Sequence, residues 1–368
     1  MREGIVSTGI DQLLYLRVTE ACNAYCRHCF IPKNPKTLDL STLTSGLDEF
    51  RLAAKEGQRV LVQLHGGEPS LVGPQRLANI CEMVRETLKG FHVQFGIQTN
   101  LIRLDEELIA FYEEYISSGH FGVSWDTEIR TIRKVGIDSN IQFERVFWEN
   151  FARLSSTSLK PVVVMTATKQ FFERFFLSGS LYKFARERNI RELHIERLTK
   201  TGYARENWDY IGVSNLEHSL GMSQIFNDYL VEKINIKPIF TSPFDGLMGS
   251  VEKLHSGNHG GYGCWSGSCD TRFHTIDMNG YKKGCTAINS ESDNPSVSDD
   301  VQVIKLIDIG EARAKRQEMM CEKCRYRPIC SSGCLASDGK DESEECSGHH
   351  FLFSTLERSF LEGKTHEN

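Results

Sequence analysis

Three cysteines set the first chemical question. Cys22, Cys26 and Cys29 stand in EACNAYCRHCF with the spacing C-x3-C-x2-C. An odd number of thiols so close together does not suit disulfides, and it is one short of a closed zinc site. Three thiolates do suit a cubane of four irons. The fourth iron is then open and can hold and reduce a small molecule, whereas a fully ligated cluster only passes electrons. Zinc is the competing reading, with His28 inside the run as the nearby nitrogen ligand.

The remaining cysteines are not scattered. Eight fall between residues 264 and 346, and the stretch from 82 to 263 has none. Two cysteine-rich zones therefore flank a body, and the second zone is expected to be a domain of its own, with a division into residues 1–240 and 241–368. The leftover Cys81 shares helical spacing with Leu77, Ile80, Val84 and Leu88, so it reads as a small buried hydrophobe.

The body must position these thiols. Strand-like runs cover residues 13–19, 60–66, 92–99, 121–125, 161–168 and 192–198, and amphipathic helical stretches lie between them. Six strands alternating with helices predict an α/β fold with a parallel sheet and right-handed crossovers. The sheet is either open and doubly wound or a barrel that does not quite close. Its ligands belong at the carboxyl ends of the strands. The first cysteine run falls there, just after the first strand.

Composition narrows the classes. The chain has 368 residues, 25% of them charged, and a formal net charge of -6. No basic field points to nucleic acid. No apolar run approaches the roughly 18 residues that span a bilayer, and the N-terminus lacks the pattern of a secretory signal. The expected compartment is the cytoplasm, where thiols stay reduced or bind metals.

The C-x3-C-x2-C run after a first strand resembles the radical S-adenosylmethionine enzymes. The resemblance covers roughly residues 12 to 205. It implies a partial (β/α)6 TIM-like barrel in which the open iron binds the amino and carboxylate groups of S-adenosylmethionine. His28 takes the family's aromatic position near adenine. Gly66-Gly67-Glu68-Pro69 resembles the GGEP element that contacts the ligand's amino group. Gln98 and Asn100 end the third strand. Ser124 and Asp126 end the fourth, where Thr127 replaces a usual Gly. Arg145 is a candidate for the ligand carboxylate, and Arg197 resembles the family's Arg…Gly-x-Ala stretch.

The second zone resembles the SPASM extension of peptide-modifying members. Cys269 precedes Gly280-x4-Cys285, followed by Cys321-x2-Cys324-x5-Cys330-x3-Cys334 and then Cys346. By that resemblance Cys264, Cys269, Cys285 and Cys334 bind one auxiliary cluster, and Cys321, Cys324, Cys330 and Cys346 bind another. With the first cluster this makes three 4Fe-4S clusters, and the second zone is expected to need its iron to fold. The implied activity is that of an oxidoreductase. S-adenosylmethionine is cleaved to a 5′-deoxyadenosyl radical, a hydrogen atom is abstracted from a peptide or protein, and the substrate is oxidised by two electrons to a crosslink or carbonyl. The alternative substrate is a small-molecule metabolite, and a non-catalytic electron carrier is a third reading. The expected partners are the substrate and a flavodoxin- or ferredoxin-type reductant. With the thiol run starting at residue 22, a separate leader-recognition protein is a further candidate partner.

The chain's length resembles that of the anaerobic sulfatase-maturating enzymes. Those relatives place a basic Asp directly after the Cys of the G-x4-C element, where this chain has Thr286. Asp126, Asp270, His274 and Asp277 are the candidate substitutes. His255 and His259 read as a connector, and His349 and His350 as surface residues of a C-terminal helix.

Overall fold

The computed structural model describes residues 9–32, 34–134, 137–154, 156–292 and 308–365. Along the chain the strands are β1 (Gln12–Thr19), β2 (Tyr25–Cys26), β3 (Arg59–Gly66), β4 (His92–Thr99), β5 (Ile116–Ser124), β6 (Arg130–Lys134), β7 (Ile137–Ser139), β8 (Val162–Ala167), β9 (Glu192–Arg197), β10 (Phe240–Ser242), β11 (Phe273–Asp277) and β12 (Gly280–Lys283). The six expected strands are β1, β3, β4, β5, β8 and β9. The chain divides into two compact units. One runs to Val164 and takes back the segment from Asp270; the other holds Met165–Cys269 and the C-terminal segment.

In the first unit β8, β5, β4, β3 and β1 lie side by side in parallel. The helices Leu40–Ala53, Pro74–Thr87 and Glu106–Tyr115 cross between successive strands, as parallel pairing requires. Asp39 and Asp105 start two of them by accepting from Thr42 N and Leu108 N. Every second residue of β1 (Leu14, Leu16, Val18) and of β3 (Val60, Val62, Leu64) is fully buried. Leu43, Leu47 and Phe50 of the first helix are fully buried as well. On the other edge of β1, β11 pairs in parallel and continues antiparallel into β12. The segment after Asp270, inside the cysteine-rich zone by sequence, is thus part of this unit. A small antiparallel arrangement joins β2 to β6 and β6 to β7.

In the second unit β9 and β10 pair in parallel. The helix Asn215–Lys233 begins with a capping box between Ser214 and Glu217. The helix His350–Thr365 packs against it and against Phe244–His255. Glu357 of the last helix accepts from Tyr326 Oη at 2.8 Å and Arg325 at 2.6 Å, and meets His255 Nε2 at 2.8 Å. That carboxylate ties the Cys321–Cys330 loop to two helices.

Candidate metal centres and ligand site

Cys22 and Cys29 lie in the loop after β1, and Cys26 in β2. The loop is braced from two other elements and by a bond of its own. Cys26 pairs with Arg130 across β2 and β6, and Arg130 Nη1 approaches Cys26 Sγ at 3.4 Å. Asn100, just past β4, approaches Cys22 Sγ at 3.7 Å through Nδ2 and donates to Asn23 Oδ1 at 2.8 Å. The backbone of Cys29 donates to Cys26 O. Burial pushes the Cys22 thiol up to about 12, and the neighbouring Cys26 thiol adds to this. A positive metal centre reverses that balance by stabilising the thiolates. Among the described residues no three Cys, His, Asp or Glu side chains close on a single ion. A cubane asks for a looser arrangement, because each thiolate takes its own iron.

Beside this loop the chain ends of β3 and β4 form one hydrogen-bonded turn. Gly67 N donates to Thr19 O at 2.7 Å and Glu68 N to Ala21 O at 2.9 Å. Gly66 has φ +130°, and a Cβ at Gly66 or Gly67 would land on the carbonyls of Thr19 or Ala21. Glu68 is 0% exposed. Its Oε1 accepts from Ser70 N and Thr99 Oγ1, and its Oε2 from Asn100 N at 2.7 Å. Burial raises the Glu68 pKa, against these donors. The carboxylate therefore joins two strand ends in the interior, and Pro69 opens the short 3-10 turn Pro69–Val72 behind it. Gln98 Nε2 donates to Ser124 Oγ at 3.0 Å.

Asp126 and His28 also meet here. Arg130 Nε donates to Asp126 Oδ2 at 2.5 Å, and His28 Nε2 lies 3.6 Å from the same oxygen. Arg130 is the residue of this cluster that sequence reasoning missed. Its spacing from Asp126 is suggestive, but its place beside Cys26 depends on strand pairing. Arg145 stands apart: its side chain is 64% exposed on the helix Asn140–Leu154 and pairs with Glu149.

The remaining base candidates separate by register. In the pairing of β1 with β11, Leu14 faces His274 and Leu16 faces Ile276. His274 thus points to the helix side, where Phe50 meets it edge-on. Its nitrogens engage Tyr281 Oη and Gln12 Oε1, and burial lowers its pKa to about 4, with Lys283 adding to this. His274 is a core residue. Asp277 lies between Arg17 at 3.5 Å and Lys282 at 3.4 Å. Arg17 also donates to Thr286 Oγ1 and O, both at 2.7 Å, so it clamps the residue after Cys285. Asp270, in the turn after Cys269, has no ion pair among the described residues.

The second unit holds seven of the other thiols, in two groups. Cys321, Cys324, Cys330 and Cys346 line one cavity, the same four that the sequence pattern groups. Cys264 neighbours Cys334. The Cys264 thiol draws the Cys334 thiol down to about 6 against burial, and Arg197 and Arg316 add to it. Arg313 Nη2 approaches Cys269 Sγ at 3.0 Å. Cys285 belongs to the first unit, ahead of the helix Thr286–Ser292. Arg197 donates to Ser347 O and Asn215 Oδ1, each at 2.5 Å. Burial lowers its pKa, and the nearby thiols of Cys334, Cys264 and Cys346 work against that. In this unit Arg197 is a half-buried cation among thiols.

One plain reading changes and another holds. His349 is 0% exposed, not a surface residue. It has φ +60° and stacks on His218 at 4.2 Å, near Trp265. The left-handed turn after Gly348 carries it inward. Cys81 is fully buried on its helix, as its spacing predicts.

Comparison with known proteins fits this geometry. A family model described as the radical SAM superfamily matches residues 16–156. A cysteine-type anaerobic sulfatase-maturating enzyme of Clostridium novyi (strain NT) is 21% identical over 328 residues, covering 85% of this chain and 84% of the relative. The structure of native anSMEcpe with bound AdoMet and Cp18Cys peptide superposes with a TM-score of 0.66 at 18% identity, over 96% of each chain. Streptococcus suis SuiB bound to precursor peptide SuiA gives a TM-score of 0.52 at 17% identity, over 89% of this chain and 72% of that one. The α/β fold with its parallel sheet is the one shared with these structures.

Proposed function

We propose, from the premise that this chain carries a radical SAM domain and is homologous to an anaerobic sulfatase-maturating enzyme, that it is an oxidising maturase of a peptide or protein. The observation behind this reading is the grouping of the thiols: a three-thiol loop at the end of β1, and two further groups in the second unit. Iron–sulfur clusters at these thiols would supply one-electron cleavage of S-adenosylmethionine at an open iron and an outlet for substrate electrons.

The chain's own residues would do the rest. The bare backbone at Gly66 and Gly67 packs directly against the carbonyls of Thr19 and Ala21 and so seats this turn beside the thiol loop. Ser124 and Gln98 offer polar groups at adjacent strand ends. Arg130, held by Asp126, places a cation beside Cys26 and His28, and we assign it the carboxylate-binding role for which Arg145 is badly placed. Arg197 would stabilise the thiolates of the second unit. The peptide-bound structures of anSMEcpe and SuiB support a peptide as the substrate class. Among the described residues no helix is long and apolar enough to cross a membrane; we place the protein in the cytoplasm, with a flavodoxin- or ferredoxin-type electron donor.

The test is anaerobic reconstitution, iron counting, and assay for 5′-deoxyadenosine with dithionite and S-adenosylmethionine. About twelve irons, three cubanes on this ligand count, with 5′-deoxyadenosine formed and two hydrogens lost from a peptide, is the expected result. Full iron with no cleavage, with candidate peptides present, would make the protein an electron carrier instead.

A further inference from the structure

Cys324 has two neighbourhoods. On one side it lines the cavity shared with Cys321, Cys330 and Cys346. On the other it lines an open pocket with His259, Gln317, Arg325, Arg327 and Pro328. One ligand side chain therefore joins a cluster site to the surface. The surface around it is cationic. Lys323, Arg325 and Arg327 are exposed, against one exposed carboxylate of the same loop, Glu322. The chain as a whole carries -6, so this patch has the opposite sign to the molecule.

We propose that this patch is the docking surface for an acidic one-electron carrier protein of the ferredoxin kind. The inference rests on the reading of the second unit as a holder of iron–sulfur clusters. Charge complementarity steers such encounters and sets their orientation more than their strength. Electron-transfer complexes are also small and transient, which suits a patch of a few residues. Oxidation of a substrate leaves an electron to dispose of. At this surface one electron would leave the cluster at Cys321, Cys324, Cys330 and Cys346, and the oxidised carrier would gain it. The cluster is oxidised by one, the carrier is reduced by one, and no bond forms or breaks. Arg325 is partly committed to Glu357 at 2.6 Å. Lys323 and Arg327 are the cations that a partner would meet first.

The test uses the full-length, iron-loaded chain and an oxidised four-iron ferredoxin as the probe. Carbodiimide joins lysine amines to partner carboxylates in contact, so peptide mapping should find Lys323 joined to ferredoxin. Calorimetric affinity should fall about tenfold between roughly 0.02 and 0.2 M salt, as screening shortens the reach of surface charge. Lys323→Glu with Arg327→Glu should weaken binding by about the same factor with iron content kept. Lys55→Glu with Lys89→Glu, an equal charge change on the first unit, should stay within about twofold of the parent. If the double variant loses iron, the cross-link map and salt series of the unaltered chain still decide. Cross-links confined to other lysines, or salt-independent binding, would overturn the proposal. So would displacement of ferredoxin by an acidic substrate peptide, which would give the patch to the substrate. A chain that passes this test but makes no 5′-deoxyadenosine would keep the docking surface and lose the maturase reading.

Discussion

Glu68→Gln separates a scaffold role from a ligand contact. Glu68 is 0% exposed, and its two oxygens take three donors: Ser70 N at 3.0 Å, Thr99 Oγ1 at 2.8 Å and Asn100 N at 2.7 Å. An amide of the same shape keeps one oxygen for two of them and points its NH2 at the third. One charge-assisted hydrogen bond is lost, about 1.5–3 kcal/mol, and the orphaned donor costs about 1–3 kcal/mol more. Relief of the buried charge offsets part of this, since burial already raises the Glu68 pKa. The net is about 2–4 kcal/mol. At 1.36 kcal/mol per factor of ten, opening of the turn should rise about thirty- to a thousandfold. Hydrogen–deuterium exchange by mass spectrometry, on peptides covering Ser70 and Asn100, reads this directly. Faster exchange there should come with a looser hold of Asn100 on the Cys22 loop. Exchange unchanged within about threefold, with S-adenosylmethionine affinity lost, would refute the reasoning and make Glu68 a ligand contact.

Arg130→Met removes the cation closest to buried Asp126 and should cost about 3–5 kcal/mol in denaturant unfolding; adding Asp126→Asn should recover much of that, and strict additivity would show that the pair is not coupled. The Glu192 pKa is raised to about 7, because burial outweighs the pull of His194. Its stabilising contribution is full below about 4.5 and lost as pH rises through 7, so Glu192→Gln should flatten the stability–pH curve by about 1–3 kcal/mol across that window. His274 has the opposite sense: held near 4 by burial, it contributes fully above about 6.5 and less as pH falls toward 4, and His274→Phe should make the acid limb of the unfolding curve shallower. Cys81→Ala should leave about twelve irons per chain, and Cys324→Ala should remove about four, one cubane, by iron assay after gel filtration.

Much of this protein is local in its sequence. Alternating Leu14, Leu16 and Val18, or Val60, Val62 and Leu64, specify strands with one core face, and Asp39 and Asp105 mark helix starts. The thiol run at 22–29 belongs to one short loop, so its grouping is legible without a fold, whereas the grouping of the later eight, which sets Cys334 apart from Cys321, Cys324 and Cys330, is what the family resemblance implies. The element order also implies parallel pairing, and hence a site at the strand ends.

What the sequence left open depends on register and on distant partners. His274 and Asp277 are three residues apart and fall on opposite faces of β11, because strand side chains alternate with period two. That parity, read against β1, puts His274 in the core and Asp277 beside Arg17. Arg130 reaches Cys26 only because β6 pairs with β2 across a hundred residues of chain. The donors at the end of β4 that meet Glu68 lie about thirty residues along the chain and are not legible beside it. Arg197 and His349 gain their neighbours from loops far along the chain, through a left-handed turn that composition does not announce. Local periodicity is written in the order of side chains, whereas a side chain's partner is decided by which segments pack together, and only the tertiary structure supplies that.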